Sequence, residues 1–318
     1  MSDINKLIQF IREEFNRSLK LFPLPNKPKY LYDPIRYALK GEGKRFRPIL
    51  VHLSGKAYKT DPDIIMKVSL AVELLHCFTL IHDDIMDSDN LRRNMPTLHH
   101  QFDISSAILA GDGMFTISQL ILDGIENKPD SLMNIYNETV LEICEGQALD
   151  KHFEDLDDIS IDMYTEMVEK KTGALLGACF YLPAVISGKS NNEIKRIKYV
   201  GRQLGIAFQI QDDLFEIFED ENSMGKSLGS DIFSNKKTAI AIEAKNINKT
   251  EWDSIIRQFD GKDLENIRNF LLENKVKDKV ENLVEHYFKS AYNELTNIGF
   301  NTDSDIYKFF KMIQGRHS

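Results

Sequence analysis

Residues 74–99, LLHCFTLIHDDIMDSDNLRRNMPTLH, carry the strongest constraint in the chain. An apolar helical run (Leu74, Leu75, Phe78, Leu80, Ile81) leads straight into Asp83, Asp84 and Asp87, and Arg92 and Arg93 follow. Burying three carboxylates so close together is costly, because like charges resist sharing a site. A divalent cation offsets that cost. At about 100° per residue, Asp83 and Asp87 lie on one helix face, one turn apart, within reach of one metal. An all-oxygen ligand set favours a hard ion such as Mg²⁺. A second cluster stands far downstream in 208–216, FQIQDDLFE, where Asp212, Asp213 and Glu216 repeat the spacing after another apolar run. The two clusters are expected to meet across a folded interior. Facing acidic clusters with metal between them make a socket for a phosphate-rich substrate. A lone cluster of this kind is most often a solvated helix face, and the matching pair argues against that.

Helical periodicity dominates the remainder, over roughly 48–58, 63–89, 104–124, 130–150, 160–187 and 191–220. An N-terminal helix over 3–19 places Ile4, Leu7, Ile8, Ile11, Phe15 and Leu19 in register. The prolines of 22–33 mark a connection, and a short helix follows from Tyr32 to Leu39, ending near Gly41. Asp61-Pro62-Asp63 and Asn191-Asn192-Glu193 are helix starts. Strand-length alternation bounded by turn signals is scarce, so no β-sheet is expected. Residues 250–313 carry Lys/Glu pairs on exposed faces and read as outer helices. No linker or domain boundary stands out. The expected fold is all-α, in a single domain over residues 1–318.

The 318 residues are 42% hydrophobic, enough for a large core. A net charge of −9 argues against a nucleic-acid partner, so the basic residues have local purposes. Lys44, Arg45 and Arg47 cluster in GEGKRFRPIL, residues 41–50, before Pro48, which a helix tolerates in its first turn. A basic loop entering a helix is a ready anion site, or else a solvated turn. Lys170-Lys171-Thr172-Gly173 sits inside an apolar helical segment. Gly costs about 1 kcal/mol in a helix interior relative to Ala. It marks either a kink that turns Lys171 and Thr172 inward, or a packing glycine after a surface lysine pair. Residues 221–238, with Lys226, Asp231, Lys236 and Lys237, form either a lid over phosphate or an ordinary surface loop. Cys77, Cys144 and Cys179 lie in apolar contexts and read as buried free thiols of a reducing compartment. The start, MSDINKLIQFIREEF, lacks a signal-peptide pattern. No uncharged apolar run reaches about 18–20 residues, although 64–82 comes closest. A cytoplasmic protein without a transmembrane segment is expected.

With these residues together, the chain resembles the short-chain trans-prenyl diphosphate synthases, which include farnesyl and geranylgeranyl diphosphate synthases. Five ordered motifs carry the likeness: GKRFRP, HDDIMD with LRR, KTGAL, FQIQDD and GKSLGSD…KKT. The resemblance implies the isoprenoid synthase type I fold, a helical bundle around a central cavity. It implies condensation of an allylic diphosphate with isopentenyl diphosphate, and a homodimer. Three Mg²⁺ ions would be held mainly by Asp83, Asp87 and Asp212, with Asp84, Asp213 and Glu216 in support. Arg92, Lys171 and Lys236 would add positive charge to the leaving diphosphate, and Lys226 would also bind substrate. Gly43, Lys44, Arg47 and Arg93, with His76 beside them, would take isopentenyl diphosphate. Phe208 and Gln209 would flank the reacting carbons. Dipoles of Lys171 and Thr172, and aromatic faces, would shield the allylic cation. The chain departs from the family at Glu42 and Asn94, where Gly is frequent, and at Glu216, where Asp is usual.

The growing tail would run along the helix that precedes Asp83. Phe78 is five residues earlier, about 7.5 Å along the axis. It stands about 140° off the Asp83 face, so its ring either reaches the cavity sideways or belongs to the core. Thr79 is nearer that face. In related enzymes an aromatic at this fifth position alone goes with the twenty-carbon product. Phe78 with Thr79 therefore leans to geranylgeranyl diphosphate, with farnesyl diphosphate as the shorter alternative. Met114 and Phe115 are candidates for the cavity floor. Rival readings are a class I terpene cyclase, which leaves the GKRFRP loop unexplained, and a non-catalytic partner subunit, expected to lose acidic residues. A helical scaffold with incidental acidic faces is the blandest.

Overall fold

A computed structural model describes residues 3–41, 43–218, 229–233, 236–259, 261 and 263–316. Its helices are α1 (Asp3–Lys20), α2 (Lys29–Leu39), α3 (Phe46–Ala57), α4 (Pro62–Met86), α5 (Leu98–Gln101), α6 (Ile104–Asp123), α7 (Leu132–Glu154), α8 (Ile161–Val168), α9 (Ala174–Ile186), α10 (Asn191–Phe218), α11 (Ser230–Phe233), α12 (Ala239–Gln258), α13 (Glu265–Glu273), α14 (Val276–Asn297) and α15 (Asp305–Gln314). A π-helical turn, Glu169–Gly173, joins α8 to α9. Two short strands, β1 (Leu91–Arg92) and β2 (Met95–Pro96), pair antiparallel. The all-α expectation holds. The chain divides into two compact units: Met1–Thr139 with Ala178–Lys198 and Thr302–Phe309, and Val140–Gly177 with Tyr199–Asn301 and Phe310–Ser318.

In the first unit, α4 packs along α3 and α6, and α1 and α2 cover their flanks. The α4 start is set locally: the Asp61 carboxylate accepts from the N–H groups of Asp63 (2.9 Å) and Ile64 (3.3 Å), and Pro62 takes the first helical position. Leu74, Ile81, Ala107, Ala110 and Met114 form a buried cluster with Ile35 and Leu98. By length and composition α4 and α6 are apolar enough to cross a membrane, and here they pack on each other. The small hairpin corrects the expectation of no sheet. Leu91 pairs with Pro96 and Arg92 with Met95, leaving Arg93 and Asn94 as the turn, at φ +52° and +62°. Positive φ at both positions is the type I′ pattern. Strands of two residues around Arg-Asn leave no alternation to read.

In the second unit, α10 meets the π turn and the start of α9 backbone to backbone. A Cβ on Gly201 would stand 2.3 Å from the Gly177 Cα, and one on Gly205 would stand 2.4 Å from the Gly173 Cα. Gly173 is thus both a packing glycine and the end of an irregular turn. The C-terminal helices are not merely outer ones. Val276, Val280, Phe288, Ala291 and Leu295 of α14 are fully buried, and Trp252 packs on Phe270 at 5.6 Å. Their charges occupy only the opposite faces. Helix α2 begins at Lys29, ahead of the expected Tyr32. All three cysteines are free, but Cys144 is exposed, contrary to expectation. Its neighbours Leu141 and Glu145 are exposed as well, while Val140 and Ile143 are buried, so Cys144 falls beyond the edge of the buried face of α7.

Gly201→Ala forces the two backbones apart. It should lower the unfolding free energy by about 1–3 kcal/mol, read from urea denaturation, and an unchanged midpoint would contradict the close approach.

Candidate active site

The basic loop sorts its charges by direction. Arg45 sits at the α3 N-cap with φ +53° and turns inward. It is buried, pairs with Glu73, and donates to Asn16 Oδ1 and the Gly41 carbonyl, each at 2.9 Å. A buried guanidinium requires such pairing, and the result is an anchored loop. Arg47 instead donates through Nη1 to His76 Nε2 at 3.1 Å. Burial, then Arg47, Arg93, Arg92 and Arg45, hold the His76 imidazole well below its ordinary value, so it is the neutral acceptor. Arg93 lies over Gly43, where an added Cβ would stand 2.9 Å from Nη1. Among the described residues, Lys44 and Arg93 have no hydrogen bond or ion pair.

At the other end of α4, the Asp87 N–H bonds the Asp83 carbonyl at 2.8 Å, so the two residues are one turn apart. Asp84 faces inward, 4% exposed, and accepts from Arg92 Nε at 2.5 Å. Burial pushes its carboxyl up to about 6, with Arg92 pulling the other way. Arg92 Nη2 also stands 4.0 Å from Asp83 and 3.6 Å from Asp89. Phe78 stacks on Phe115 with ring centroids 5.4 Å apart. Thr79 Oγ1 donates to the His76 carbonyl at 2.8 Å, and Met114 is fully buried in the core cluster.

In the second unit, Asp212 accepts from Arg316, whose guanidinium lies 3.6 Å from the Phe208 ring centroid. Arg316 also donates to the Phe208 carbonyl at 3.1 Å and to Gln211 Oε1 at 3.2 Å. Asp213 is buried and accepts from Tyr164 Oη (2.6 Å), Gln209 Nε2 (3.2 Å) and the Ala239 N–H (3.3 Å). Burial lifts its carboxyl to about 7 despite those donors. Glu216 accepts from the Asp231 N–H at 2.7 Å. Lys171 donates to Asp150 at 2.5 Å, and Thr172 Oγ1 donates to Gln209 Oε1 at 3.2 Å. Lys236 stands 3.6 Å from Asp231 and lines a cleft of about 380 Å³ with Lys237, Lys245, Lys249 and Trp252. Lys226 lies outside the described residues. Arg316, Tyr164 and Asp150 escaped the sequence reading, because each is distant from its partner in the chain and belongs to no motif.

Among the described residues, no three Asp, Glu, His or Cys side chains already form a metal cluster. Asp83 and Asp87 stand one turn apart on α4, and in the second unit the Asp212 side chain is 37% exposed.

The geometry has close relatives. A geranylgeranyl pyrophosphate synthetase structure from Pyrococcus horikoshii superposes with a TM-score of 0.87 at 32% identity, covering 98% of this chain and 99% of that one. The fold is that of the isoprenoid synthases. The geranylgeranyl pyrophosphate synthase of Geoglobus acetivorans is 38% identical over 76% of each chain. The geranylgeranyl diphosphate synthase of Sulfolobus acidocaldarius is 32% identical over 95% of this chain and 94% of its own. The profile of the polyprenyl synthetase family matches residues 28–272. The chain belongs to the polyprenyl synthetase family, and it is a trans-prenyltransferase.

His76 should stay neutral as pH falls. Its imidazole resonances should hold steady from pH 8 to pH 6, and a titration centred at the ordinary value of 6.5 would contradict the arginine-flanked geometry. The unfolded chain takes up that proton and the folded chain does not, so this group's share of stability is lost as pH drops below 6.5.

Proposed function

We propose that the chain condenses an allylic diphosphate with isopentenyl diphosphate, with geranylgeranyl diphosphate as main product and farnesyl diphosphate as the shorter alternative. The observation that carries this reading is the contrast between two stations on α4. Asp83 and Asp87 sit at its C-terminal end, suited to a metal-bound diphosphate. His76 sits seven residues earlier, about 10 Å along the axis, among arginines suited to a diphosphate without metal. One substrate must lose its diphosphate and the other must keep it, and the two stations match that need.

Asp83, Asp87 and Asp212 are the proposed Mg²⁺ ligands, with Asp84, Asp213 and Glu216 holding the surrounding structure. The ions, three by family resemblance, neutralise the departing diphosphate when bound. Charge develops on that group at ionisation, so preorganised cations lower the barrier most. Arg92 is held on Asp84, Lys171 on Asp150 and Lys236 near Asp231, each at a fixed position. Gly43, Lys44, Arg47 and Arg93 take isopentenyl diphosphate. Thr172, Gln209 and Phe208 face the cation, and the released diphosphate accepts the final proton. A cyclase has no use for the arginine station, and a non-catalytic subunit has no use for both acidic motifs.

The finer assignments follow the same reading. Three free thiols suit the cytoplasm. Ile104, Ile108, Leu109 and Leu120 are exposed along α6 and suit a homodimer contact.

The test is incubation with each allylic diphosphate, labelled isopentenyl diphosphate and Mg²⁺, followed by chromatography of the dephosphorylated products. A twenty-carbon alcohol that requires isopentenyl diphosphate and Mg²⁺ is expected. Hydrocarbon released from the allylic diphosphate alone would overturn the proposal. Asp83→Ala should cut kcat by about 10²-fold or more while the thermal transition is kept. Arg93→Ala should raise KM for isopentenyl diphosphate about tenfold, with a smaller change in kcat, because a charge-assisted bond to the diphosphate is lost.

A further inference from the structure

We propose that His82 determines product length by bracing Phe78, a role that rests on the prenyltransferase reading above. His82 follows Phe78 by one turn on the same face of α4. Their ring centroids are 4.7 Å apart at 62°, an edge-to-face pair. Phe78 also stacks on Phe115 of α6 at 28°. The histidine is itself seated on α6. Its Nε2 lies 3.3 Å from the Ile108 carbonyl and 3.8 Å from Asp112 Oδ1. Its ring rests where Gly111 lacks a side chain: a Cβ there would stand 2.4 Å from Nε2 and 2.6 Å from Cδ2.

A wall that stops a growing chain must resist being pushed aside. An apolar tail enters any space that opens beside it, because burial from water favours entry. Phe78 has no polar atom to hold its ring. His82 supplies that hold, because one of its edges meets Phe78 and its nitrogen is tied to a backbone carbonyl. Gly111 lets the imidazole sit close enough to α6 to do so. His82 is thus a positioning residue: it acts through Phe78.

The test uses the full chain with an allylic diphosphate, isopentenyl diphosphate and Mg²⁺, and mass-spectrometric product lengths. In His82→Ala the share of products longer than the main wild-type product should rise at least about fivefold, with KM for isopentenyl diphosphate within about twofold. His82→Gln, which keeps a polar group near the reach of Nε2, should shift the share less. Phe78→Ala should lengthen products, and the double variant should go no further than Phe78→Ala alone. An active His82→Ala enzyme with the wild-type product spectrum overturns the proposal, as does additive lengthening in the double variant. Should His82→Ala fail to fold, Gly111→Ala unseats the ring while leaving His82 and Asp83 in the chain. It should change the ratio of product lengths by at least about twofold, and an unchanged ratio overturns the proposal. Wild-type protein that forms no elongated product refutes the reaction itself, a different outcome from any of these.

Discussion

Two neighbouring carboxylates cannot both be buried and charged without large cost, and each acidic motif resolves this in the same way. The second aspartate goes inward and is tied down. Asp84 accepts from Arg92, and Asp213 accepts from Tyr164, Gln209 and the Ala239 N–H. The first stays nearer solvent, with side-chain exposures of 20% for Asp83 and 37% for Asp212. The inward member orients its surroundings: Asp84 aims Arg92, and Asp213 joins α10 to α8 and the start of α12. The i, i+1 pair therefore divides into an inward member that fixes its surroundings and an outward member nearer solvent.

Cations are divided by the same rule. Arg45, Arg92 and Lys171 are each held by an acid, Glu73, Asp84 and Asp150 respectively. Lys44 and Arg93 have no such partner among the described residues. A held cation supplies a fixed field, whereas an unheld one is ready to take an anion from solution. Both kinds occur near α4, and local sequence gives them the same appearance.

Legibility followed sequence distance. Asp61-Pro62 announces the start of α4 because a cap and its N–H groups are neighbours. The acidic motifs were readable because i and i+4 share a helix face. Glycine at 173 signalled an irregularity inside an apolar helix. The inward turn of Arg45 was not readable, since it depends on Glu73 and Asn16 arriving from other helices. Arg316 and Tyr164 met the second motif only through folding. An apolar stretch does not show where its buried face ends: Val140 and Ile143 are buried, and Cys144 is exposed. The seat of His82 is not legible in local sequence, because Ile108, Gly111 and Asp112 reach it from α6.

The π turn at Glu169–Gly173 carries one residue more than a regular helix needs there. Deleting a single codon in it would restore regular winding and swing one flank of the helix by about 100° relative to the other. The glycine seam with α10 fixes the downstream flank, so the upstream flank, with Lys171's neighbours and Tyr164, would have to turn. Such a deletion would therefore break either the glycine seam with α10 or the Tyr164–Asp213 hydrogen bond.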